Sequence, residues 1–131
     1  MLKECKRAIG YDGFLENGEI ARLCLAGARD LETRGVILPG KVSFEFEEKP
    51  LVDPETLTTE KDWETGEDRT YEAVTDTSDL TDEYICRAIF TYVNMNFGNP
   101  PNYDKLRDSY DRQLGQLMIT SGYTDYTMVT P

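Results

Sequence analysis

The chain has 131 residues, 30% of them charged and 39% hydrophobic, with a net charge of −11. That length fits one domain with a modest core that needs neither disulfides nor metal, and no apolar run approaches the ~18 residues of a membrane span. Histidine is absent, which removes Ser-His and Cys-His nucleophile pairs, the commonest general base and most zinc and iron sites.

The start, Met1 to Arg7, has no apolar core of a secretory signal, so a protein made and used in a cytoplasm is expected. Leu2, Cys5 and Ile9 recur at helical spacing and predict a short first helix, ended by Gly10 and the Asp12-Gly13 pair. Asn17 reads as the N-cap of a second helix from Gly18 to Arg34. Ile20, Leu23, Cys24, Gly27, Ala28 and Leu31 form its apolar face, and Gly35 supplies the left-handed residue after it. Cys5, Cys24 and Cys86 form no C-x-x-C pair and read as small buried hydrophobes.

The period then changes from helical to alternating. Lys41 to Glu47 predicts a strand with Phe44 and Phe46 on one face, and Arg69 to Thr75 predicts a weaker partner. Between them lies a loop over 49–68, with a possible helical turn at Asp53-Pro54-Glu55 and an anchoring Trp63. Asp62 to Gly66 faintly resembles the start of a calcium loop. The glycine comes one position early and no closing Glu follows at the right spacing, so no metal is expected.

Asp79 or Thr81 is the expected cap of a third helix, with Asp82 and Glu83 at its positive end. Ile85, Ala88, Ile89, Tyr92, Val93 and Asn96 form its inner face. Cys86, Phe90 and Phe97 extend the apolar surface beyond one stripe, which implies cover on more than one side. Gly98 and Pro100-Pro101 end this helix. Asn102 caps a fourth, with a stripe of Leu106, Tyr110, Leu114, Leu117 and Met118 closed by Ser121-Gly122. So short a corner makes the last two helices antiparallel neighbours. The remainder reads as an extended tail.

The expected fold is therefore a mainly α single domain over 1–131. It is a small bundle of about four helices (1–35 and 80–123), with a β-hairpin or small β element inserted between the second and third. The insert over 36–79 is acidic and the tail covers 124–131. Charge follows this division. Residues 1–35 and 84–131 are each neutral, whereas 36–83 hold fifteen acids against four bases, which is the whole net charge. A nucleic-acid binder would present the opposite sign.

Several of these residues together resemble a known family. Ala88 to Gly98 reads Ala-Ile-Phe-Thr-Tyr-Val-Asn-Met-Asn-Phe-Gly. It is similar to a signature of tailed-bacteriophage head–tail connector (adaptor, or head completion) proteins, in which an Ala-Ile-x-x-Tyr-Val helix ends in Asn-Phe-Gly. Tyr110-Asp111, Ser121-Gly122-Tyr123, and Asp30-Leu31 followed by Gly35-Val36 fall in the family's order. The acidic middle is longer than in short members of the family, and its role is not carried over.

The resemblance implies a structural virion protein with no enzymatic activity and no cofactor. It implies a ring of about a dozen copies at the head–tail interface, made in the bacterial host cytoplasm. The ring would dock under the portal protein, above a tail or stopper protein, and extend the DNA channel. On this reading Tyr123, Tyr126, Met128 and Val129 form a portal-docking tail, and Phe90, Met95 and Phe97 meet the next subunit. Glu45, Glu47, Glu48, Glu64, Glu67 and Asp68 form an acidic channel or ring face past which double-stranded DNA slides without adhering. No membrane partner is expected. Two other classes compete with it. One is an acidic DNA mimic that inhibits a nucleic-acid enzyme, which the charge-neutral helices disfavour. The other is a glycosidase-like carboxylate enzyme, which lacks any apolar pocket pattern to raise one carboxyl's pKa.

Overall fold

A computed structural model describes residues 1–52 and 69–119. Its elements run α1 (Leu2–Ile9), α2 (Asn17–Thr33), β1 (Phe44–Pro50), β2 (Thr70–Asp76), α3 (Glu83–Asn96) and α4 (Tyr103–Ile119). This is a mainly α bundle with a two-stranded antiparallel hairpin between α2 and α3.

α1 buries Leu2 and Cys5 and ends at Gly10, whose φ of 78° closes the helix in the left-handed conformation. α2 begins at Asn17 itself, with Glu16 in the cap position, so Asn17 is not the cap. Turned into the first turn, its Oδ1 is buried without a hydrogen-bond partner among the described residues. The predicted α2 stripe is otherwise placed inward, with Ile20, Cys24 and Leu31 fully buried. Gly35, at φ 95°, follows the helix, and the Val36 N–H donates back to the Leu31 carbonyl at 3.0 Å.

The strands begin later than their alternation suggests. Lys41 to Ser43 do not join the ladder. Instead the Lys41 carbonyl accepts from Asp79 and Leu80, and the Ser43 carbonyl from Thr77. Gly40 lies against the Leu80 backbone, where an added Cβ would come within 2.8 Å of Leu80 Cα. The ladder then runs from Phe44↔Asp76 to Pro50↔Thr70. The expected turn at Asp53 to Glu55 and the Trp63 anchor lie outside the described residues.

α3 is capped by Asp82 rather than by Asp79 or Thr81. The Asp82 Oδ1 accepts from the Tyr84 and Ile85 N–H groups at 3.0 and 3.1 Å. Asp79 is occupied elsewhere, accepting from the Lys41 N–H. Past Phe97, Gly98 and Asn99 are both left-handed, at φ 71° and 51°, and the two prolines turn the chain into α4. α3 packs on α1, α2 and α4, which is why Ile85, Ala88, Ile89 and Val93 are all fully buried. Asn96 is exposed and donates to the Tyr92 carbonyl, and Met95 points inward in its place. α4 contributes Tyr110, Leu114 and Leu117 to the core.

Close approach ties α2 to α3. A Cβ at Gly27 would sit 3.0 Å from Tyr92 Cδ1, and the Tyr92 ring lies 5.7 Å from that of Tyr110 on α4. Tyr110 donates its hydroxyl to Asp30, which also accepts from Arg34 Nε at 3.1 Å. Burial, with the Asp30 carboxylate next, pushes the Tyr110 pKa up, so the phenol stays a donor.

Candidate functional site

The hairpin presents two unlike faces. Residues paired across an antiparallel ladder share a face, so Phe44, Phe46 and Glu48 lie with Asp76, Val74 and Glu72. This inner face meets the helices. Phe44 and Val74 pack against the core, and Arg22 of α2 binds Glu72 through two bonds of 2.6 Å. The same guanidinium lies 4.6 Å from the centre of the Phe46 ring. Glu48 and Glu72 are directly opposed like charges, a costly pair. Arg22 draws off one and the Thr70 hydroxyl donates to the other. A side chain at Gly18 would collide with the Glu72 carboxylate, so the glycine admits this link.

The outer face carries Glu45, Glu47 and Lys49 opposite Thr75, Ala73 and Tyr71. Glu45 and Glu47 are exposed, and among the described residues the one ion pair here, Lys49 to Glu47, is 4.0 Å long. Of the expected acidic face, then, Glu45 and Glu47 stand together. Glu48 is turned to the other side. Glu64, Glu67 and Asp68 lie outside the described residues, as do the tail residues Tyr123, Tyr126, Met128 and Val129.

The expected subunit contacts divide. Met95 is 8% exposed and belongs to the monomer's core. Phe97 is half-buried and takes the edge of Tyr11, ring centres 5.6 Å apart. Phe90 lines a cavity of about 630 Å³ between α1 and α3, with Met1, Ala8, Leu80 and Cys86. The wide apolar surface of α3 is thus largely used inside one chain, because three helices cover it.

Residues not singled out from the sequence form a basic flank. Lys3, Lys6 and Arg7 on α1 line a second cavity of about 480 Å³ with Tyr11, Asp12, Val74 and Asp76. Lys6 Nζ lies 5.6 Å from the Tyr11 ring centre, and among the described residues no ion pair joins these three bases to a carboxylate. The signal was present in the i, i+3, i+4 spacing of three bases opposite Leu2 and Cys5. Asp76 is already engaged. It accepts from the Met1 amino group, the Leu2 N–H and the Ser78 N–H at 2.8, 2.9 and 3.0 Å.

Among the described residues no cluster of three or more metal-ligating side chains occurs. The three cysteines are free. A hydrogen bond between the Cys24 and Cys5 thiols, with burial, raises the Cys24 pKa, and burial raises that of Cys86. No family model, curated protein or solved structure matches the chain.

Proposed function

We propose that this chain is a structural subunit of a bacteriophage head–tail connector ring that docks on the portal and prolongs the DNA channel. The observation that carries the reading is the α3–α4 hairpin. Its family-like residues each hold a joint of the bundle. Ala88 and Val93 are buried, Tyr92 bridges Gly27 and Tyr110, and Gly98 takes the left-handed corner. The acidic middle, fifteen acids against four bases over 36–83, suits a surface that repels phosphate over roughly the 8 Å that physiological salt permits.

On this reading the segment from Tyr123 to Val129 docks in a portal groove by adding strand-like backbone hydrogen bonds. Imaging of the purified chain mixed with the portal protein of the same phage tests the function, with a ring of density under the portal expected. Deleting residues 124–131 is expected to abolish docking while circular dichroism shows the fold intact. Docking by the truncated chain refutes the tail's role, and the absence of any ring on the portal refutes the connector reading.

A further inference from the structure

We infer that copies of this chain join head-to-tail by seating the acidic outer hairpin face of one on the basic α1 flank of the next. The inference rests on the ring reading above and names the surfaces that would build it.

Lys3 and Arg7 are exposed cations with no carboxylate partner among the described residues, on a molecule of net charge −11. They stand with Lys6 around a hollow also lined by Leu2, Tyr11, Val74, Asp12 and Asp76, the last already held by the Met1 amino group. The outer hairpin face is the complement. It is a strand surface with exposed Glu45 and Glu47 opposite Thr75 and the half-buried Ala73, bounded by Lys49 and by Tyr71, whose ring is packed by Phe14 at 5.0 Å. The α1 bases, unpaired among the described residues, and the outward glutamates of β1 match in sign.

Geometry keeps the two apart within one molecule. The basic hollow adjoins Val74 and Asp76, which belong to the inner face, whereas Glu45 and Glu47 point from the outer face. They therefore lie on opposite sides of the hairpin, and only a second copy brings them together. Two different surfaces that complement each other make a heterologous contact, which closes into a ring when the rotation per subunit allows.

Zero-length carbodiimide coupling of the full-length protein, mixed from unlabelled and ¹⁵N-labelled chains at low salt, tests this. Mass spectrometry is expected to find mixed-isotope links from Lys3 or Lys6 to Glu45 or Glu47. Sedimentation is expected to show species beyond a dimer that weaken at roughly 0.5 M salt as the screening length shrinks. Neither Lys3→Glu/Arg7→Glu nor Glu45→Lys/Glu47→Lys should self-associate, with a loss of at least about tenfold from opposed like charges. Mixing those two variants should restore assembly, a recovery that a misfolded chain cannot give. Links confined to one chain, or reversed variants that assemble like the parent, overturn the inference and leave the ring to its imaging test. A closed dimer with the expected links retains the contact and overturns the ring.

Discussion

Asp76 shows how much one side chain holds together. Burial would raise its pKa, but the Met1 amino group and the Leu2 and Ser78 N–H groups outweigh that and hold it at about 2. An unfolded aspartate titrates near ~3.9. The folded value is the lower one, so the stabilisation is complete above the unfolded pKa and is lost as pH falls towards 2. Thermal melts of the parent and Asp76→Asn should differ most near neutrality and converge by about pH 2. A gap that stays constant across that range would contradict the assignment. In the sequence Asp76 is one of fifteen acids in the middle segment. Its role depends on a partner 74 residues away, which no local pattern reports.

At the scale of elements, local chemistry carries further. Helix ends are set by groups a few residues apart, such as Gly10, Gly35 and Gly98, so the four helices were legible almost to their bounds. The sequence places the cap of α3 three residues early at Asp79, or one early at Thr81, because Asp, Thr and Asp compete within four positions. Packing of Leu80 under Gly40 and capture of Asp79 by Lys41 leave Asp82 to do it. Asp82→Ala should cost about 1 kcal/mol in urea unfolding, whereas Thr81→Ala should stay within about 0.5 kcal/mol. The reverse order would restore the earlier cap. The strands show the complementary limit. Alternation of two identified Phe44 and Phe46 as the inner face, yet it does not say where a strand stops. The ladder slid to Phe44–Pro50 because its partner strand and the contacts of Lys41 and Ser43 decide that.

For the whole molecule, burial should be readable by thiol chemistry. Cys5 and Cys24 are fully buried, Cys86 is half-buried, and thiolate is the reactive form. An aromatic disulfide reagent should label one thiol slowly in the native protein and all three in denaturant, and three equivalent native rates would refute the core. Chain order, element type and the division into neutral helices and an acidic middle follow from the sequence by itself, since composition, periodicity and breakers act over a few residues. The tertiary structure alone decided that Met95 serves the core, that Glu48 leaves the outer face, and that Lys3, Lys6 and Arg7 stand beside Val74. Those outcomes depend on which faces meet, and elements separated by some seventy residues meet only through the packing of the whole bundle.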